Sequence, residues 1–372
     1  MSGIHFNKEK GCQIKLFTPG PVQVPDRVLQ DLAKPNNTHR SKEYSEMHQI
    51  ATEGLKKVLY TKNECLLFTS SATGIMEACV RNLVKDDEKV GFFSIGAFGD
   101  RWYEIGVTNG KNSVKEGVEW GGAITPELVN DIMEKKRYPV VCIQANETST
   151  GVYNPIDQLA PIIKDYGALL CVDATSSMAG VKIEVDKLNI DVCLASVQKC
   201  FALPPGLAVC SISEAALAKT AEVKNRGLYF DFEDLVKRNK SHQTPTTPPI
   251  PQIRGLVTQL DYILNEEGLE KRFERHTQLG KRTRIWARDM NLEMFPIKAE
   301  YSSNTVSTIK NSHNIDIAKM VEMLREKGYG IVNGYGELKN KTFRIGHMGE
   351  ITIKELEDML KILTDIIIGL RK

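Results

Sequence analysis

The run Leu169-Leu-Cys-Val-Asp173-Ala-Thr175, with Asp191-Val-Cys-Leu-Ala-Ser-Val-Gln-Lys199-Cys-Phe201 after it, decides the fold. Each contains a short, nearly continuous apolar run that leads to a charged residue. Runs of this kind read as strands buried on both faces. The interval between Asp173 and Lys199 accommodates one αβ unit. That arrangement sets both charged groups on the same edge of a sheet.

The same rhythm extends outward in both directions. Strands are expected over Glu64-Cys-Leu-Leu-Phe-Thr69, Lys89-Val-Gly-Phe-Phe-Ser94, Pro139-Val-Val-Cys-Ile-Gln144 and from Gly206 to Ile212. Helical periodicity fills 72–84, 126–136 and 157–166. Strands alternating with helices predict an α/β fold, with a mostly parallel sheet covered on both faces. Residues 241–251 carry four prolines and read as an extended loop. Long helical segments follow over roughly 252–290, and then a smaller α+β region. Its last helix places Leu356, Met359, Leu360, Leu363, Ile367 and Leu370 on one face. The expected organisation is an N-terminal arm over 1–20, a large domain over 21–265 and a small C-terminal domain over 266–372.

Composition narrows the function. The chain has 372 residues, 41% hydrophobic and 26% charged, with a net charge of +2. No basic block stands out, which argues against nucleic acid as a partner. The eight cysteines are scattered, with no CxxC pair and no zinc-like spacing, so no metal site is expected. Cys142, Cys171, Cys193 and Cys210 lie in apolar runs, where cysteine acts as a small buried hydrophobe. The N-terminus is polar, and no apolar stretch is long enough to span a bilayer. A cytoplasmic protein without a membrane partner is expected.

In open α/β sheets, ligands bind outside the carboxyl ends of the strands. Four groups fall there independently: Ser71-Ala72-Thr73, Asn146 to Gly151, Asp173 and Lys199. Small residues at the start of the helix after Ser71 expose backbone N–H groups suited to a phosphate. Phe98, flanked by Gly96 and Gly99, can lie flat on a ring. Arg344, in Thr342-Phe-Arg344-Ile-Gly-His-Met-Gly349, sits between apolar residues and needs an anionic partner, for which a carboxylate is the bidentate match. Taken singly, each has an ordinary reading: a helix cap, a turn aspartate, a surface lysine, a core phenylalanine, an internal salt bridge. Taken together, a lysine able to form a Schiff base and a carboxylate able to hold a pyridinium nitrogen point to pyridoxal 5'-phosphate.

These residues also resemble a family. Thr18-Pro-Gly-Pro21, Ser71-Ala72-Thr73, Gly96-Ala-Phe-Gly99, Glu147-Thr-Ser-Thr-Gly151, Val172-Asp-Ala-Thr175, Ser196-Val-Gln-Lys199, Pro204-Pro-Gly206 and Arg344 to Gly349 are similar, in order, to class V aminotransferases of pyridoxal-phosphate fold type I. Within that family the likeness is strongest to alanine–glyoxylate and serine–pyruvate aminotransferases. The resemblance implies that Lys199 carries the cofactor and that Asp173 partners its pyridine nitrogen. It implies that Phe98 stacks on the ring, that Thr148 approaches the ring hydroxyl, and that Thr175 belongs to the cofactor site. Ser71, Ala72, Thr73 and Gln198 are implied to hold the phosphate. Thr244 and Thr247 resemble residues that reach the phosphate from a neighbouring subunit, which implies a homodimer. Some relatives carry a tyrosine where Thr244 stands. Arg344 is implied to grip the substrate carboxylate.

The implied reaction moves an amino group between alanine or serine and glyoxylate or pyruvate, with ping-pong kinetics. Thr38-His39-Arg40-Ser41 resembles a stretch that helps bind the substrate phosphate in phosphoserine aminotransferases, so His39 and Arg40 are substrate-binding candidates. Phosphoserine or aspartate is therefore the second substrate reading, and 2-aminoethylphosphonate the third. A cysteine desulfurase-like lyase needs a mobile-loop cysteine, whereas Cys200 is tied beside Lys199.

Overall fold

A computed structural model describes residues 14–371. The expected N-terminal arm lies partly outside the described residues, which begin at Ile14. Seven strands form the central sheet: β1 Glu64–Phe68, β2 Lys89–Ser94, β3 Asn112–Gly117, β4 Val140–Gln144, β5 Leu169–Asp173, β6 Val192–Ser196 and β7 Ala208–Ile212. Their order across the sheet is β1-β7-β6-β5-β4-β2-β3. β7 runs antiparallel to β1 and β6, and every other pairing is parallel. The fold is α/β with a mostly parallel sheet, as the sequence rhythm predicts.

Strand alternation divides the core into two layers. Val141 and Ile143 of β4 face one layer, with Val129 and Met133 of helix α3 (Pro126–Lys136) and Leu159 and Ile163 of helix α4 (Ile156–Asp165). Val140 and Cys142 face the other, with Ile75 and Cys79 of helix α1 (Ala72–Leu83) and Trp102 of helix α2 (Ala97–Thr108). Both faces are covered, which explains why the strands read as unbroken apolar runs. The seven cysteines among the described residues are all buried free thiols.

Three local differences from the expectation have physical causes. β3, with the sequence Asn-Ser-Val-Lys-Glu-Gly, is a half-exposed edge strand paired only to β2. Edge strands tolerate polar residues, so hydropathy does not mark them. Helix α2, which takes in the glycine-flanked Phe98 segment, is absent from the expected helices because its start is capped by Glu147 and Ser149 and not by a neighbouring residue. The proline-rich loop ends early, because helix α5 (Ile250–Asp261) takes Pro251 into its first turn. No intrahelical donor is needed there.

The segment read as helix over 252–290 consists of α5, a π-helical turn over Tyr262–Glu267, and α6 (Leu269–Asp289). A second sheet follows, built from β8 Val306–Lys310, β9 Val332–Asn333 and β10 Thr342–Gly346 in the order β8-β10-β9, all antiparallel. Helices α6, α7 (Ile317–Glu326) and α8 (Ile353–Leu370) pack on it. Leu356, Met359, Leu360, Leu363 and Ile367 of α8 are buried, as the periodicity predicts, and Leu370 packs half-buried against them. Each buried side chain of this kind contributes about 1.5–3 kcal/mol of transfer free energy. No helix among the described residues is long and apolar enough to cross a membrane.

Residues 15–22 join the two sheets. Lys15–Leu16 pairs in parallel with Tyr329–Gly330. The Gly346 amide donates to the Phe17 carbonyl at 2.7 Å, and the Val22 amide donates to the Gln198 carbonyl at 3.2 Å. This strap crosses the carboxyl ends of β5 and β6, where the chemistry-bearing residues lie.

Candidate active site

The site begins with the carboxyl ends of adjacent parallel strands. Asp173 closes β5, paired with Gln144 of β4 and Leu194 of β6. Lys199 follows β6 by three residues. Both side chains are buried, at 3% and 8% exposure. Burial favours the neutral form of each group. It raises the Asp173 carboxyl above its usual range, against hydrogen bonding from Thr175 and the positive charge of Lys199. It lowers the Lys199 ammonium to about 8, an effect opposed by Asp173 and reinforced by Arg344. Asp173 and Lys199 therefore share one electrostatic field, although 26 residues separate them in the chain.

Lys199 Nζ donates to the Pro19 carbonyl at 2.7 Å and to Thr148 Oγ1 at 3.3 Å. Gly20 runs directly over its aliphatic stem: a side chain added there would meet Lys199 Cδ at 2.9 Å. Gly20 also has φ +110°, a conformation open to glycine. Thr148 Oγ1 donates to Ser176 Oγ at 3.0 Å, and Ser176 donates in turn to the Asn146 carbonyl at 3.0 Å. The loop after β4 is thereby fastened to the loop after β5.

Asp173 Oδ1 accepts the Thr175 amide at 2.8 Å. The Thr175 hydroxyl lies beside this carboxylate and influences its acidity, yet it is buried without a hydrogen bond of good geometry. At the other end of the site, Ser71 precedes α1 in extended conformation, and no side chain caps the helix. Ser71 is exposed, Thr73 is half-buried and Ala72 is buried. Gln198 is half-buried and accepts the Ser196 hydroxyl at 2.6 Å.

Phe98 lies in the first turn of α2. The Phe98 and Gly99 amides donate to Glu147 Oε2 at 3.0 and 3.2 Å, and the Ala97 amide donates to Ser149 Oγ at 3.0 Å. Helix α2 is thus capped by residues about fifty positions away. Glu147 is fully buried, and burial raises its carboxyl against these hydrogen bonds and those from Ser149. The ring that stacks on Phe98 in this structure is Tyr335, at 5.5 Å and 17°. Lys199 Nζ stands 5.7 Å from the Phe98 centroid.

Arg344, in β10, is 7% exposed. Its two hydrogen bonds go to backbone carbonyls, from Nε to Asn333 at 3.2 Å and from Nη1 to Thr148 at 3.3 Å. None goes to a carboxylate among the described residues. Burial lowers the guanidinium to about 10, although Glu147 and Tyr335 oppose this. Thr148 therefore touches both cations, Lys199 through its hydroxyl and Arg344 through its carbonyl.

The remaining sequence candidates lie in a second group. Arg40 is exposed and donates from Nη1 to Gln243 Oε1 at 3.0 Å and to the Thr244 carbonyl at 3.2 Å. Thr244 is buried and donates to the Thr246 carbonyl at 2.8 Å, whereas Thr247 is exposed and His39 half-buried. Among the described residues no hydrogen bond joins this group to Lys199 or Arg344. Cys200 is fully buried, with its thiol 3.7 Å from the Ser176 carbonyl. Sequence reasoning assigned no role to Tyr335, Pro19, Ser176 or Glu147. The glycines on either side of Tyr335 are the only local signal for it.

These residues fit a phosphorylated pyridine. The uncapped start of α1 offers backbone donors, the Thr175 hydroxyl makes no hydrogen bond of good geometry among the described residues, and a buried carboxylate faces a lysine with lowered proton affinity.

Comparison with known proteins agrees. The model of the family described as aminotransferase class-V matches residues 14–337. An uncharacterized aminotransferase of Methanocaldococcus jannaschii is 39% identical, over 92% of this chain and 89% of its own length. A serine–glyoxylate aminotransferase of Methylorubrum extorquens is 32% identical, over 90% of this chain and 86% of its own. The crystal structure of an aspartate aminotransferase from Thermus thermophilus superposes with a TM-score of 0.88 at 27% identity, covering 95% of this chain and 99% of that one. With the family matched along most of its length and a lysine–aspartate pair at the strand ends, this chain belongs to the class V aminotransferases and is a pyridoxal 5'-phosphate-dependent transaminase.

Proposed function

We propose that the enzyme transfers the amino group of alanine or serine to glyoxylate or pyruvate, in two half-reactions with ping-pong kinetics. One observation carries this reading. A buried arginine that spends no hydrogen bond on a described carboxylate shares Thr148 with the lysine. This supports Arg344 as the grip for a substrate carboxylate, beside Lys199 as the group that handles the Cα proton. The name of the serine–glyoxylate relative points the same way.

Bound pyridoxal phosphate supplies an electron sink that makes the substrate Cα proton acidic. Ser71, Ala72, Thr73 and Gln198 would hold its phosphate, Asp173 its pyridinium nitrogen, and Phe98 and Thr175 its ring. Arg344 binds the substrate carboxylate in bidentate fashion and orients Cα toward Lys199. Lys199 Nζ takes the proton from Cα; burial keeps a neutral amine accessible near pH 8. Pro19 and Thr148 accept hydrogen bonds from Nζ when it is free and keep it at the reacting carbon. Glu147 holds the start of α2, and with it Phe98.

Thr244 and Thr247 are proposed to complete the phosphate site of a second subunit, so the active unit is a homodimer. The large and small domains divide at residue 265, inside the π-helical turn. The buried thiols support a reducing, cytoplasmic setting. Phosphoserine or aspartate, each with an anionic side chain, is the second reading. Arg101, beside Phe98, bonds a tyrosine hydroxyl instead of a described carboxylate and offers a site for a side-chain anion.

The test is an absorbance titration of the purified holoenzyme with single amino acids. Alanine and serine should discharge the cofactor band, and glyoxylate or pyruvate should restore it. Discharge by aspartate or phosphoserine alone would replace this reading with the second one.

A further inference from the structure

Tyr335 is the residue at this site that the mechanism above leaves without a role. It lies in Gly334-Tyr335-Gly336, on the connection between β9 and β10. Asn333 pins the base of that connection: its Oδ1 accepts the Gly334 amide at 2.7 Å and the Asn340 amide at 2.8 Å, and its Nδ2 donates to Asn340 Oδ1 at 2.7 Å. A side chain at Gly334 would run into the Leu338 carbonyl. Close packing therefore sets the point from which the tyrosine projects.

Three contacts then hold the ring. It stacks on Phe98, its hydroxyl accepts Arg101 Nη2 at 2.8 Å, and the Arg344 guanidinium lies 5.5 Å from its centroid. Aromatic stacking, a cation over the ring and a charged hydrogen bond all oppose its swinging aside. Tyr335 is 37% exposed, so it stands at the edge of the site. It spans from the aromatic platform to the carboxylate grip. A carboxylate held on Arg344 would lie within reach of this ring.

We infer that Tyr335 is the specificity-determining side chain of this enzyme, a wall held between Phe98 and Arg344 that restricts the amino donor to small Cα substituents. The inference rests on the carboxylate-binding role of Arg344 proposed above. Removing the ring opens space for larger donors, and excluding or admitting a few carbons in such a pocket is worth roughly 10- to 200-fold.

The test compares the wild-type holoenzyme with Tyr335→Ala, Tyr335→Leu and Tyr335→Phe. The first readout is the ratio of discharge rates for L-phenylalanine and L-alanine. The second is the affinity ratio of two inert carboxylates, 3-phenylpropionate and acetate, by calorimetry. Both ratios should rise by roughly tenfold or more in Tyr335→Ala and in Tyr335→Leu. Both should stay at the wild-type value in Tyr335→Phe, which keeps the ring. Uptake of cofactor shows which variants are folded, and Tyr335→Leu decides if Tyr335→Ala is not. Unchanged ratios in a folded, ring-less variant overturn the inference. A wild-type enzyme that converts no small amino acid sinks the functional reading alone, because the carboxylate affinities read Tyr335 without turnover.

Discussion

Lys199 Nζ donates to the carbonyl of Pro19 at 2.7 Å across 180 residues of chain. The contact exists because Gly20 has no side chain and can lie against the lysine stem. The N-terminal strap is therefore part of the candidate active site. Replacing Gly20 with valine would force a bulky side chain into a φ of +110° and against Lys199 Cδ. We expect Gly20→Val to fold, to take up cofactor more slowly, and to lose about 100-fold or more in turnover. Stopped-flow absorbance of cofactor uptake checks this; wild-type uptake would remove the strap from the site.

Lys199 has its proton affinity lowered to about 8 because it is buried, and Asp173 resists that lowering. The neutral amine is the form that bonds to an aldehyde. In the cofactor-free enzyme, the rate of covalent cofactor uptake should rise with pH and reach half-maximum near pH 8. Asp173→Asn should move that midpoint down, because the opposing negative charge is gone. Lys199→Ala should still bind the cofactor, without a covalent link, and lose at least about 1,000-fold in turnover. A midpoint near that of a surface lysine would contradict the placement of Lys199 in this buried field.

Arg344 has two backbone acceptors and no described carboxylate. Its charge is thus available to substrate. A charge-assisted contact is worth about 1.5–3 kcal/mol, which is roughly 10- to 150-fold in binding. Arg344→Gln should lower kcat/KM for alanine and serine by that order, mainly through KM. Arg344→Lys should recover only part of it, because an ammonium cannot reproduce the planar fork. Steady-state kinetics with saturating acceptor provide the measurement. Equal losses for amines lacking a carboxylate would reassign the residue to structure.

His347, three residues beyond Arg344, is fully buried, bonded to Ser307, and lowered by burial to about 3. Its folded value lies below its unfolded one near 6.5. Between these limits the unfolded chain binds a proton that the folded chain refuses. Stability is therefore full above about pH 6.5 and declines as pH falls toward 3, by about 1.4 kcal/mol per pH unit for this group. The buried His276 acts with the same sign. Denaturant unfolding from pH 4 to 7 should show the slope, and His347→Gln should flatten it. An unchanged slope would show that other groups govern acid sensitivity.

Much of the large sheet was legible because burial on both faces leaves continuous apolar runs. Leu169–Asp173 and Val192–Ser196 are strands where the sequence predicts them. The half-exposed edge strand Asn112–Gly117 was not legible, because its polar residues carry no hydropathy signal. Helix α2 was hidden for another reason. Its N-terminus is capped by Glu147 and Ser149, whereas a local signature needs a nearby capping residue. The antiparallel direction of β7 was likewise absent from the residue pattern, since an apolar strand reads the same in either direction.

The sequence by itself singled out the groups proposed to carry the chemistry. The lysine follows one apolar strand and the aspartate closes another, and they lie at one sheet edge because those strands, joined over 174–191 by a connection without a helix, pair in parallel. It also determined the layered α/β class, through the period of its apolar residues. Tertiary structure alone decided how those groups are held. Pro19 over Lys199, Glu147 under Phe98, and Tyr335 between Phe98 and Arg344 join segments far apart in the chain. Such contacts depend on where loops converge after packing, and no periodicity of the chain encodes that.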